Sequence, residues 1–119
     1  MNSADCKVIK KGDILLADLG GTIGSEQAGV RPCLVVQNDV GNKHSPTTIV
    51  APLTSKMKKN TQPTHVEIGE RFGLTEYSVA LLEQLRTIDR ERIICYVGRA
   101  DKKTMSLVDT ALRVSLDLQ

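Results

Sequence analysis

The chain has 119 residues, 16 Lys and Arg against 14 Asp and Glu, a net charge of +2, and only Phe72, Tyr77 and Tyr96 as aromatic side chains. That length suits one domain with its own core; the charge excludes a histone-like polycation, and so few rings exclude a protein that binds single strands by stacking bases on several of them. No stretch approaches the roughly 18 apolar residues of a membrane helix, and the polar first eleven residues hold no signal-peptide core, so no membrane contact and a cytoplasmic location are expected.

Residues 1–10 read as a loose leader, and residues 11–119 as a single domain. After a turn at Gly12-Asp13, Ile14 to Leu19 predicts a short strand. Residues 20–30 hold four glycines and only Ile23 as a large side chain, which predicts a flexible loop. Residues 31–37, with Cys33, Leu34, Val35 and Val36 in an apolar run, form a second strand. The turn formers of 38–46 predict a connection without regular structure. Residues 47–54 form a third strand, in which Pro52 argues for an edge position or a bulge. A polar basic loop covers 55–63. His65 to Ile68 alternates polar and apolar, a half-buried strand that puts His65 on its polar phase, at the surface or hydrogen-bonded.

Gly69 and Gly73 mark a turn over 69–76, after which Ser78 to Leu82 and Leu85 to Ile88 are extended. Asp89 caps a short helical turn through Arg92, and Tyr96 to Arg99 is a last strand. The end is helical from an Asp101 cap, with Met105, Val108, Ala111, Leu112 and Leu116 on one apolar stripe and Leu107, Val114 and Leu118 on a second. Two stripes want two partners, one the rest of the domain and the other a possible second subunit. Six or seven short strands and one amphipathic helix describe a mainly β fold, a small, strongly bent antiparallel barrel with a C-terminal helix.

The chemistry-bearing residues are few. Cys6, Cys33 and Cys95 are far apart and form no Cys-x-x-Cys, so neither a zinc site nor a disulfide framework is expected, and Cys33 reads as a buried small hydrophobe. His44 and His65 are not spaced as ligands, and no metal or cofactor is expected. Phosphate-binding glycine loops and serine-nucleophile elbows are absent. What remains is Arg31, delivered by a Gly-bounded loop to the root of an apolar strand and held extended by Pro32. That placement suits a guanidinium that meets a phosphate; the alternative is a strand-edge arginine in a surface salt bridge. Thr54 ends the third strand, and Glu83-Gln84 is either a base-reading pair or a solvated strand end. Basic residues cluster at Lys7, Lys10 and Lys11, at Lys56, Lys58 and Lys59, and at Arg86, Arg90 and Arg92.

Four motifs stand in order: Lys10-Lys11-Gly12-Asp13-Ile14, Gly24-x-Glu26-Gln27-x-Gly29-x-Arg31-Pro32, Leu34-Val35-Val36-Gln37-Asn38-Asp39, and Leu81-x-Glu83-Gln84-Leu85-Arg86-Thr87-Ile88-Asp89. In these the chain resembles the MazF/PemK/Kid toxins from about residue 10 onward, and most of all their Gram-positive branch, which carries the Ser25-Glu26-Gln27 loop and the Asn38-Asp39-x-Gly41-Asn42 segment. The resemblance implies an SH3-like barrel of CcdB/PemK type, a homodimer, and metal-independent, sequence-specific cleavage of single-stranded RNA to 2′,3′-cyclic phosphate and 5′-hydroxyl ends. It also implies a cognate antitoxin with an acidic, disordered tail. Catalytic roles fall on Arg31 and Thr54. RNA contacts fall on Ser25, Glu26, Gln27, Lys56, Ser78, Glu83, Gln84 and Arg86. The general base stays open between Glu26 and the substrate itself. Two other readings use the same barrel: a CcdB-like toxin that binds gyrase, and a module that binds RNA or protein without catalysis.

Overall fold

The computed structural model describes residues 8–21, 23–24, 26–56 and 62–119. Cys6, Lys7, Lys58, Lys59 and all of the expected leader before Val8 lie outside them; Ile9 is buried in the core. Seven strands are present: β1 (Asp13–Asp18), β2 (Val30–Val35), β3 (Thr47–Thr54), β4 (His65–Gly69), β5 (Ser78–Leu81), β6 (Arg86–Asp89) and β7 (Ile93–Arg99). A six-residue helix α1 (Asp39–His44) links β2 to β3, and α2 (Lys102–Ser115) ends the chain. The strands run β4-β5-β3-β2-β1-β7 across one bent sheet, all pairs antiparallel, with β6 also on β3. No helix among the described residues is long and apolar enough to cross a membrane.

Two apolar clusters explain the apolar runs. Ile14, Leu34, Ala51, Leu53, Ile68 and Leu82 point to one side, where α2 covers them with Val108 and Ala111. Leu15, Ala17, Cys33, Val35, Val50 and Ile88 point to the other. Strands β1 to β3 are therefore buried on both faces, and neighbours such as Cys33 and Leu34 are both inaccessible. Each fully buried Leu, Ile or Val contributes about 1.5–3 kcal/mol, which makes this pair of clusters the main stabilising term.

Three local expectations change. The 38–46 connection contains α1, because Asn38 caps it by accepting from the Gly41 N–H at 2.8 Å. Its Asn42 is fully buried, accepting from Thr48 Oγ1 at 2.7 Å and Gln37 Nε2 at 3.1 Å. These polar residues act as cap and anchor rather than as turn formers. Pro52 lies on an inner strand, not an edge: β3 pairs with β6 up to Val50 and with β5 from Leu53, and Pro52 stands at the changeover. Leu116 is 53% exposed, because α2 stops at Ser115 and Leu116 is its C-cap. The other caps agree with the sequence: Asp101 accepts from the Thr104 N–H at 2.8 Å, and Asp89 accepts from the Glu91 N–H at 2.9 Å, opening a 3-10 turn over Arg90–Arg92. Leu107, Val114 and Leu118 of the second stripe are exposed.

The two ends of the sheet, β4 and β7, meet without pairing. The turn after β4 lies backbone against backbone on β7: a Cβ on Gly98 would stand 1.8 Å from the Phe72 carbonyl oxygen, and one on Gly73 2.3 Å from that of Val97. Phe72 takes φ +60° to make the turn, and its ring lies 4.7 Å from the Arg71 guanidinium. Gly98→Ala must displace this turn, so a loss of about 3 kcal/mol is expected, at the upper end for overpacking, read as a lowered Tm. A second expectation concerns Cys33, whose thiol pKa burial pushes up to about 12 against the opposing pull of Arg31 and Arg86. Burial disfavours the thiolate, so at pH 8 to 9 alkylation followed by peptide mass analysis should find Cys33 unmodified in the native protein and modified once denaturant unfolds it.

Candidate active site

The pairing of β2 with β3 sets Cys33 opposite Pro52, Leu34 opposite Ala51 and Val35 opposite Val50. The paired stretch ends at Cys33 and Pro52; Arg31 and Thr54 each lie two residues beyond it and line one cleft. Thr54 in turn pairs with Val79, next to Ser78 at the start of β5. Three strands thus deliver Arg31, Thr54 and Ser78 to one place.

Arg31 is half-buried and fastened on one edge. Its Nε donates to the Ala28 carbonyl at 3.0 Å, and its Nη1 donates to the Leu53 carbonyl at 3.3 Å and to Gln27 Oε1. These acceptors are neutral, so the guanidinium keeps its charge uncompensated there, unlike a surface ion pair. Its Nη2 carries no hydrogen bond among the described residues. Thr54 is 7% exposed, and its Oγ1 accepts from the Lys56 N–H at 3.3 Å, leaving the hydroxyl proton to donate elsewhere. Ser78 Oγ donates to the Glu76 carbonyl at 2.9 Å.

A cleft of about 310 Å³ is lined by Arg31, Thr54, Lys56 and Ser78 and by Leu74, Thr75 and Glu76. A wider groove of about 700 Å³ continues from Arg31, Thr54 and Lys56 to Glu26, Gln27, Glu83, Gln84 and His65. A third depression joins Arg86 to Glu26, Gln27, Glu83 and Gln84. Every catalytic and RNA-contact residue that the resemblance implied and the structure describes therefore lines one of these clefts, the second of which shares residues with the other two; Ser25 lies outside the described residues. Arg86 Nη1 donates to the Leu19 carbonyl at 2.9 Å, so part of this guanidinium braces the foot of the 20–30 loop. The loop is closed at its base by Leu19 N–H to Gly29 O and Gly29 N–H to Gly20 O, both 2.9 Å. Over the groove, the Gln27 N–H donates to Gln84 Oε1 at 3.0 Å while its side chain accepts from Arg31.

Glu83 is held rather than free in solvent. Its Oε2 lies 2.9 Å from His65 Nε2, and its Oε1 accepts from Thr64 Oγ1 at 3.2 Å. His65 is hydrogen-bonded as one expectation had it, but it is buried rather than at the surface. Alternation places it with exposed Glu67; the turn carrying Glu83 arches over the start of β4 and covers it. Sequence reasoning also missed Leu74, Thr75 and Glu76, whose only signal was their position next to Gly73. Among the described residues no group of three or more His, Cys, Asp and Glu gathers as a metal site.

The fold is that of the PemK/MazF-type toxins. MazF of Deinococcus radiodurans superposes with a TM-score of 0.79 over 93% of this chain and 98% of that one, at 24% identity. An endoribonuclease from a mycobacterial species, solved in complex with its cognate antitoxin, gives 0.78 over 93% and 97%, at 27% identity. The profile of the PemK-like, MazF-like toxins of type II toxin–antitoxin systems matches residues 10–116. The curated endoribonuclease EndoA of Bacillus subtilis (strain 168) is 51% identical over 112 residues, 93% of this chain and 97% of that protein. The chain belongs to the PemK-like, MazF-like toxin family.

The contact between Gln27 and Gln84 sets how the loop is held. Gln84→Ala removes the acceptor of the Gln27 N–H, a bond of about 1 kcal/mol, and the Gln27 amide should exchange several-fold faster in native-state hydrogen exchange while core amides of β3 are unchanged.

Proposed function

We propose that this toxin is an endoribonuclease that cuts single-stranded RNA at a short sequence without a metal, using the substrate's own 2′-hydroxyl as nucleophile. The observation that carries the mechanism is that Arg31 of β2 and Thr54 of β3 line one cleft, beside Lys56. In the reaction the 2′-oxygen attacks the adjacent phosphorus, its proton leaves, and a crowded phosphorane collapses to a 2′,3′-cyclic phosphate and a 5′-hydroxyl. The protein must stabilise the added charge and supply a proton to the leaving oxygen. Arginine, with a pKa above about 12, is a poor base and a permanent cation. Arg31 therefore binds the phosphoryl oxygens, most strongly when they carry the charge of the phosphorane. Lys56 adds a second positive charge in the same cleft. Thr54 donates its hydroxyl to the phosphate or passes a proton to the leaving group. The proton of the 2′-hydroxyl goes to Glu26 or to the substrate itself.

Base reading falls to the groove beyond. Glu83, aligned by His65 and Thr64, accepts hydrogen bonds from base edges, and Gln84 both donates and accepts. Gln27 yields Arg31 and Gln84 when RNA enters, and the 20–30 loop then covers the strand. Arg86, with Lys56, contacts the phosphate backbone.

The reading includes a homodimer, supported by the apolar side chains that α2 leaves exposed, and a cognate antitoxin whose acidic disordered tail competes for the basic groove. EndoA of Bacillus subtilis is named an endoribonuclease, and the mycobacterial relative was solved with its antitoxin. A gyrase-binding toxin or an inert adaptor would need neither Arg31 nor Thr54 in this arrangement.

The test is cleavage of a long single-stranded RNA in EDTA, with cut ends mapped by primer extension. Discrete cuts at one short motif are expected. Arg31→Ala should lower the rate by at least about 10²-fold and Thr54→Val by a similar factor, as for loss of a donor to transition-state charge, with Tm within a few degrees of the parent. A fully active Arg31→Ala protein would refute the assignment.

A further inference from the structure

The small cleft contains a group that phosphate binding does not explain. Glu76 is exposed and lines it together with Arg31 and Lys56, and it forms no ion pair with either. A carboxylate there weakens the attraction of any phosphate by like-charge repulsion. It is also placed with care. Leu74 is anchored in the core at 8% exposure. The Leu74 N–H donates to the Arg71 carbonyl at 3.1 Å, and the Glu76 carbonyl accepts from Ser78 Oγ at 2.9 Å. Behind this segment lies the backbone contact of Phe72 and Gly73 with Val97 and Gly98 of β7, and Phe72 is left-handed. Strain of that kind is kept where it aims a functional segment. It fixes the backbone that carries Thr75 and Glu76 at the cleft.

We propose that residues 74–76 form, with Thr54 and Ser78, a nucleoside subsite that selects the nucleotide flanking the scissile phosphate through the Glu76 carboxylate. This rests on the ribonuclease reading and adds a specificity determinant to it. The chemistry names the base class. A carboxylate only accepts, so it bonds the amino groups of adenine, cytosine or guanine. Uracil presents carbonyl oxygens on either side of its single N–H, and these oppose the carboxylate. Leu74 supplies an apolar surface for the ring, and Gly73 and Gly98 act as positioning residues that keep this side of the cleft at a fixed distance from Arg31.

The experiment compares the parent protein with Glu76→Gln on a single-stranded RNA pool with randomised positions on both sides of the cut, sequencing the products. Glutamine is nearly isosteric, and position 76 is exposed, so the variant keeps its fold. It both donates and accepts, so it no longer penalises uracil. The expected result is a roughly tenfold fall in selection against uridine at one flanking position alone, with preferences elsewhere and Tm unchanged. Thr75→Ala should leave that preference largely intact. An unaltered preference profile in Glu76→Gln overturns the subsite, as does a uniform loss of rate at all sequences, which would mark Glu76 as structural or catalytic instead. If the parent cuts no member of the pool, the ribonuclease reading itself fails, and the subsite with it.

Discussion

The register between β2 and β3 is the constraint on which the site depends. Side chains along a strand alternate between faces, so a slip of one residue would send Arg31 and Thr54 to opposite sides of the sheet. The register is held from behind. Cys33 and Val35 on β2 and Val50 on β3 are packed into one apolar cluster, and Leu34, Ala51 and Leu53 into the other. A one-residue slip would turn one strand's residues into the opposite cluster and disrupt the packing of both. The geometry of two polar residues is thus enforced by apolar residues that never meet the substrate, the usual way a rigid scaffold carries chemistry at its rim.

Around this fixed pair, the parts differ in how firmly they are held. Gly73 and Gly98 allow a backbone contact with no side chain between, which ties the turn next to the cleft directly to β7. The 20–30 loop is closed at its base by two backbone bonds and braced there by Arg86 and Arg92, which donate to the carbonyls of Leu19 and Asp18. Over the groove the described contacts are bonds of Gln27 and the Ala28 carbonyl. Gln27 bonds both Arg31 and Gln84, so the position of the loop and the arrangement of these two side chains are linked. Local opening is favoured where few apolar contacts resist it, and this loop buries few.

Much of the fold was legible because its signals are local. Strand β3 was read at its observed bounds from its β-branched start and strand-ending hydroxyl, and the caps Asp89 and Asp101 were read correctly, since a carboxylate bonding an N–H two or three residues on needs no distant partner. Where the outcome turned on distant residues, the reading failed. Asn42 looked like a turn former until Thr48 and Gln37 were seen to bond it. His65 looked like part of a polar stripe until the turn bearing Glu83 was found above it. Leu116 fitted the buried stripe by spacing, but the helix ended one residue sooner.

The same division holds for the site. The sequence by itself determined its ingredients: a loop of small residues leading to an arginine pinned by Pro32, a hydroxyl closing an apolar strand, and a Glu-Gln pair, in an order that resembles one toxin family. Each is a short-range pattern set by backbone preference and hydrophobic alternation. Only the tertiary structure decided that Arg31 and Thr54 share one cleft, that Glu83 is aligned by His65 and Thr64, and that Leu74, Thr75 and Glu76 complete the cleft. Those facts depend on strand register, on the bend of the sheet and on the close approach at Gly98. All three arise from contacts between residues far apart in the chain, and no local pattern encodes them.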